Sequence, residues 1–413
     1  MPAVVLTEGT HGKFVGVDIK GKMINPTFGI ISRNANLVIE ECNINNHVSG
    51  GVLIYNTMET QCRISRTKFI NNLPFNIEVI GCSGGRQMEE KVILIEENTI
   101  LGKDYQGIGV KIGVGARPKL FLNLIKKLKE GILIISSDPF VYRNSITDCI
   151  HGIVSMTYMD MICEPRIKIN EIRGHAENGI LVKGINNFSV IMNNTSIKDN
   201  KKAGVKIDEG AFARIINNKI SNNHNQGILI VEKCNGFIEN NYIYQNYKAN
   251  IALGGEQSEN TTIIRNKIFN SASEGIFIIL AGKCSILMNE IYGNYDGVIA
   301  IESVPEIAFN NIYRNRNNGV ILLRGTEPVL RKNNIYENEG VGLVLREKSY
   351  GVTTGNIVKD NEMDLVVEYE TPQMETDNFF TTNVFGEDIR LPDRKSTRLN
   401  SSHVLRSRMP SSA

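Results

Sequence analysis

The sequence has no tryptophan, only six histidines and eleven prolines among 413 residues. No apolar run approaches the ~18 residues that a membrane-spanning helix needs; stretches such as Gly275–Gly282 are the longest, so no membrane partner is expected. The seven cysteines are odd in number and include no C-x-x-C pair. That argues against a disulfide framework or a zinc site and leaves them as small core residues. The segment from Met1 to Phe14 lacks a basic region followed by an apolar one, so no secretory signal is expected and the chain reads as cytoplasmic or nuclear. There is no phosphate-binding loop, nucleophile elbow or H-E-x-x-H. Helical i, i+3, i+4 periodicity is missing as well.

Net charge is also nearly absent. The 46 basic and 44 acidic residues leave +2. Five basic residues and one acid fall in 393–413 (DRKSTRLNSSHVLRSRMPSSA), where isoleucine disappears and serine and arginine crowd in. This tail resembles a translated sequencing adapter, and both ends of the chain read as truncated. Without it, 41 basic residues face 43 acidic ones, so charge gives no indication of a nucleic-acid partner.

What the sequence does have is a repeat. The pattern N-x-I-x-x-N followed by Gly and an aliphatic run recurs, as in Asn266-Lys267-Ile268 with Gly275-Ile276-Phe277-Ile278, and Asn310-Asn311-Ile312 with Gly319-Val320-Ile321-Leu322. A period of about 23 residues over about fifteen turns indicates a solenoid. Each unit holds two or three alternating β-branched runs, which suit short strands and not helices. Leucine-rich and propeller marks are missing. The expected fold is all-β: a single-stranded right-handed parallel β-helix of about 15 coils, about 23 residues each, with coils ~4.8 Å apart. The expected layout is an N-terminal edge over 1–28, the β-helix over 29–370, a C-terminal edge or cap over 371–392 and the adapter-like tail over 393–413. Phe379-Phe380 and Val384-Phe385 are expected to cover the last coil.

The repeated residues then acquire roles. The Ile of N-x-I points inward. The Asn two places before it stacks in a ladder, clearest in Asn218, Asn241, Asn266, Asn289, Asn310 and Asn333. A second polar column runs through Asn223, Asn246, Asn294, Asn315 and Asn338, and His47 and His175 take its place elsewhere. The recurring Gly is expected at a turn position with positive φ, replaced by Asn76, Asn250 and Asp364 in three coils. N-x-S/T sequons such as Asn187-Phe188-Ser189 and Asn260-Thr261-Thr262 are expected by chance in so Asn-rich a chain.

Candidate contact residues are few. Tyr244, Phe269, Tyr292, Tyr313 and Tyr336 follow the inward Ile in five successive coils and should point outward. Such a stripe either contacts a ligand or stacks on itself to shield the sheet. Longer units at Gly81–Glu90 and Ser155–Pro165 read as loops on a rim. Asp208-Glu209 reads as a solvated pair, and Arg166-Ile167-Lys168 as a surface strand.

The repeat resembles the parallel β-helix repeat family, the pectate-lyase-like superfold, over roughly 29–368. The segment from Glu327 to Asn338 (EPVLRKNNIYEN) is similar to coils of the β-helix F-box proteins and of related carbohydrate-binding and sugar-hydrolase domains. The first resemblance implies a non-enzymatic scaffold that recognises proteins, the second a polysaccharide ligand. No catalytic set of the polygalacturonase or pectate-lyase type is present, so catalytic residues, metal ligands and cofactors are all expected to be none. Two readings stay open: a scaffold that binds a protein partner along the aromatic stripe, or a carbohydrate-binding or polysaccharide-active protein.

Overall fold

A computed structural model describes residues 2–23, 27–56, 60–81, 93–231, 233–255, 260–281, 283–349, 351–368, 379–380 and 384–385. The loop expected at Gly81–Glu90 and the tail 393–413 therefore lie outside the described residues, apart from Gly81 itself. The strands are short, most of them three to six residues, and no helix occurs among the described residues. The chain divides into two compact units, Met1–Ile228 and Leu229–Ala413.

Both units wind as a parallel β-helix. Each coil contributes one strand to each of three parallel sheets, taken in the order sheet 1, sheet 2, sheet 3. The register sets like residues on like. In the first unit Ile100, Ile125, Ile146, Ile172, Ile197 and Ile220 align one above another in sheet 3, all fully buried. In the second, Ile243, Ile268, Ile291, Ile312 and Ile335 do the same. Alternation then sends their neighbours outward, which is why one residue in two is buried along most strands.

The corner between sheets 2 and 3 is built from two residues. The first adopts positive φ: Arg143 (53°), Asn193 (55°), Arg265 (56°), Met288 (55°) and Phe309 (58°) are examples. Such a conformation costs an L-residue about 1–2 kcal/mol. The second residue is the ladder asparagine, which offsets that cost. Asn289 is typical: its backbone N–H and Nδ2 both donate to Asn310 Oδ1 (2.9 and 3.0 Å), and Nδ2 also donates to the Ile263 carbonyl (2.9 Å). The same bonds join Asn241, Asn266, Asn289, Asn310, Asn333 and Asn356 in the second unit. In the first unit they join Asn98, Asn123, Asn144, Asn170, Asn194 and Asn218. Asn194 escapes the N-x-I pattern because it stands three residues before its Ile, and Asn356 because Val358 replaces the Ile.

The expected role of the recurring Gly is corrected. Positive φ belongs to the corner residues before the asparagines, whereas Gly131, Gly275, Gly297 and Gly319 are absent from the positive-φ set. Close approach requires them instead. A Cβ on Gly297 would stand 2.3 Å from the Gly319 carbonyl oxygen, and one on Gly319 2.5 Å from that of Gly342. No side chain fits between these backbones.

The exceptions in the Gly column follow a rule. Ser271 is too short to serve the second polar column, and Asn250 reaches in from the Gly place: Asn246 Nδ2 donates to Asn250 Oδ1 (2.8 Å), and Asn250 Nδ2 to Asn294 Oδ1 (3.0 Å). Asn76 accepts from Asn72 in the same way (3.0 Å), and Asp364 from Asn361 (3.1 Å). His175 stands in this column as expected, its Nδ1 accepting from the Cys149 N–H (3.1 Å) and its own N–H donating to Asn200 Oδ1 (3.1 Å).

In the second unit Phe379–Phe380 pairs with Ile357–Lys359, and Val384–Phe385 with Met363–Val367, so these segments extend sheets 3 and 1. The six described cysteines are buried and unbridged, with burial pushing the thiols of Cys149 and Cys284 up to about 12.

Candidate functional site

The aromatic stripe lies where the pattern placed it, on the outer face of sheet 3 in the second unit. Tyr244, Phe269, Tyr292, Tyr313 and Tyr336 are half-buried and stack in one pile, with centroids 4.9, 5.0, 5.1 and 5.0 Å apart and planes within 14° of parallel. Each inner ring therefore spends both faces on its neighbours. Burial raises the hydroxyl pKa of Tyr292 and Tyr313 above the ordinary value. What this pile offers a ligand is a line of ring edges, not a platform.

A different arrangement occupies the outer face of sheet 2 in the first unit. Five consecutive strands, Lys119–Phe121, Phe140–Tyr142, Arg166–Lys168, Phe188–Met192 and Phe212–Ile216, pair in register. One outward row reads Lys119, Phe140, Arg166, Val190, Arg214, and the next Phe121, Tyr142, Lys168, Met192, Ile216. Lys119, Arg166 and Arg214 are exposed and fall on every second strand, about 9.6 Å apart at the usual strand spacing. Arg143, at the adjoining corner, lies 5.1 Å from the centre of the Tyr142 ring, and Lys168 lies 6.0 Å from that of Phe140. Phe121 and Phe140 both stack on Tyr142 (5.4 and 5.5 Å), while Phe188 stays 42% exposed.

No carboxylate stands on these five strands. Asp138, before the second of them, is held by Arg117 (3.3 Å), and Glu164 precedes the third. Among the described residues Lys119, Arg143, Arg166 and Lys168 have no ion pair. Elsewhere cations are commonly matched: Lys111 with Glu78 (2.7 Å), Lys206 with Asp208 (2.5 Å), Lys183 with Glu209 (3.2 Å), Arg314 with Glu337 (2.6 Å). The Asp208-Glu209 pair is thus an ion-pairing element on the surface. Sequence reasoning read Arg166-Ile167-Lys168 as a surface strand, which it is, but missed that it is the middle of a cationic and aromatic face.

The long turn within Ser155–Pro165 borders this face. Tyr158, Met159, Met161 and Ile162 are exposed there, Met159 by 77%, and Ile185 of the next coil is exposed beside them. Asn186 Nδ2 donates to the Asp160 carbonyl (2.8 Å), tying the two turns together. Beneath them a buried set of Ser155, Cys163, Asn187 and Ser189 satisfies its own polar atoms.

Other titratable groups are structural. Burial lowers His175 to about 4 and also lowers His151. Burial raises the Asp296 carboxyl, against three donors from Asn317 and Asn318 (2.9–3.0 Å). Among the described residues no cluster of three or more His, Cys, Asp or Glu is placed to hold a metal ion, and no helix is long and apolar enough to cross a membrane.

No curated protein matches the chain in sequence. Among solved structures it resembles the A-module of the mannuronan C-5 epimerase AlgE4 of Azotobacter vinelandii, at 15% identity over 85% of this chain and 91% of that one, with a TM-score of 0.49. It also resembles a mutant of the periplasmic alginate epimerase AlgG (15% identity, 81% and 76% covered, TM-score 0.44) and the Dettilon tailspike protein (14%, 86% and 60%, 0.32). The model of the right-handed β-helix region matches residues 155–261 and 251–386, more than half of the sequence. Coil, register and ladder agree with that match, and the chain belongs to the right-handed β-helix family.

Proposed function

We propose that this protein binds an acidic polysaccharide along the outer face of sheet 2 in its first unit. The observation that carries the reading is the row of exposed cations without carboxylates, interleaved with aromatic rings, on five strands in register. A linear polymer with regularly spaced negative charges matches cations repeated on alternate strands, and sugar rings pack their apolar faces on aromatic edges and stems. Single-stranded nucleic acid would need open ring faces for base stacking and a field from excess positive charge. Phe121, Phe140 and Tyr142 instead stack on each other, and the chain without its tail carries slightly more acid than base. No chemical step is assigned.

Affinity electrophoresis in gels containing polyuronate, sulfated glycan or neutral glucan tests this. Retardation by the acidic polymers alone, relieved by salt and by Arg166→Glu with Lys168→Glu, is expected. Equal mobility in all gels overturns the reading, and retardation by single-stranded DNA in place of glycan turns it towards nucleic acid.

A second reading, a protein partner, is favoured by the exposed turn of Tyr158, Met159, Met161 and Ile162. It separates from the first because Met159→Ser with Ile162→Ser would abolish capture of such a partner and leave glycan binding intact. The stacked tyrosines of the second unit are proposed as a binding stripe in neither reading.

A further inference from the structure

The sequence offers acceptor sequons for N-linked glycosylation at Asn187, Asn193, Asn194 and Asn260, with Asn400 outside the described residues. Two of these asparagines differ from the others in kind. Asn187 and Asn194 are each 1% exposed, whereas Asn193 and Asn260 are exposed at corners. The amide nitrogens of the buried pair are already committed. Asn194 Nδ2 donates to the Ile167 carbonyl (3.1 Å) and to Asn218 Oδ1 (2.8 Å). Asn187 Nδ2 donates to Ser155 Oγ (3.0 Å) and to the Lys183 carbonyl (3.2 Å), while Ser189, the hydroxyl residue of its sequon, donates to Asn187 Oδ1 (2.7 Å).

Glycosylation joins the amide nitrogen to the anomeric carbon of a lipid-linked sugar. The C–O bond to the pyrophosphate breaks, the nitrogen gives up one proton, and one N–H remains where these sites use two. One of the two hydrogen bonds made by that nitrogen is lost and a bulky polar group must enter a filled core. Timing makes the conflict unavoidable. Asn218, the partner that closes Asn194 into the ladder, lies 24 residues further along the chain, so the sequon stays open until the next coil has been made.

We infer that this chain folds only where N-linked glycosylation does not reach it, because modification at Asn187 or Asn194 and closure of the β-helix exclude one another. The inference is independent of what the sheet 2 face binds.

The full chain, fused to a secretion leader in an N-glycosylating cell, tests it. Retention of the protein is expected, with about tenfold less folded material in the medium than when tunicamycin blocks glycan donor assembly. Mass spectrometry of the retained chains should find a glycan at Asn194 or Asn187. Ser196→Ala removes the Asn194 sequon at little structural cost, since Ser196 Oγ makes no hydrogen bond, and should shift all glycan from Asn194 to the exposed Asn193. Folded protein in the medium that carries a glycan at Asn187 or Asn194 overturns the inference, and so does folded protein with both bare in the same amount with and without tunicamycin. So does retention that tunicamycin does not relieve.

Discussion

Two outward rows, one in each unit, make an instructive pair. On sheet 3 of the second unit five aromatic residues follow one another without interruption, and their rings close on each other at 4.9–5.1 Å. On sheet 2 of the first unit aromatic residues, cations and aliphatics alternate along the same kind of row, and Lys119 and Arg166 stay exposed without an ion pair among the described residues. A parallel β-helix sets equivalent positions one strand spacing apart, so a uniform aromatic row satisfies itself. A mixed row leaves its charge for something else to answer. Uniformity, which makes a column conspicuous in the sequence, goes here with rings that stack on one another, and the proposed binding face is the less regular row.

This contrast can be broken at its base. Ile291→Asp, beneath the stacked rings, puts a charge among fully buried isoleucines and should cost at least about 4 kcal/mol, unfolding the second unit in a denaturation curve. If unit 1 ligand binding vanished as well, the two rows could not be treated separately. Asn289→Ala comes next. It removes the acceptor of the Asn266 N–H (2.8 Å) and the donor to the Ile263 carbonyl (2.9 Å), for a loss of about 3 kcal/mol by chemical denaturation.

The units should also differ in their response to acid. Burial holds His175 at about 4 in the fold, against 6.5 ordinarily. Its contribution is complete above pH 6.5 and is lost as pH falls towards 4, because the unfolded chain takes up a proton that the folded one refuses. The integrated loss is about 3 kcal/mol. Asn315 and Asn338 hold the corresponding column in the second unit and do not titrate. His175→Asn should therefore flatten the acid limb of the first unit's stability profile; an unchanged limb would place its origin elsewhere.

Smaller effects sharpen the contrast. Reversing Lys119, Arg166 and Lys168 to Glu should weaken polyanion binding roughly 50-fold, given up to about 1 kcal/mol for each exposed pair, with an unchanged melting temperature. Tyr292→Ala should do the opposite: about 1–2 kcal/mol of stability from two ring contacts, and no change in glycan retardation.

The fold was legible because it depends on residues that recur with little variation. Ile268, Ile291 and Ile312, and Asn266, Asn289 and Asn310, announce their columns by identity alone. The glycine column was legible as a column but not in its cause, since close approach of Gly297 to Gly319 needs the rise between coils to be known. The sheet 2 face was not legible. Lys119, Phe140, Arg166, Val190 and Arg214 share no residue type, and they become neighbours only once the uneven coil lengths between them are resolved into one register. Charge matching is likewise invisible in a list of residues: Lys206 and Lys168 look alike until one is found against Asp208 and the other beside a phenylalanine ring.

The asparagine ladder has a direction. In the described ladder bonds the backbone N–H of each asparagine looks forward, to the side-chain oxygen of the asparagine one turn later, so a growing chain always ends in donors waiting for an acceptor not yet synthesised. Each newly made turn completes its predecessor and opens the same need in itself, like a zip whose slider moves one way. In the second polar column Asp364 breaks that sequence, for Asn361 finds its oxygen three residues on, within its own turn.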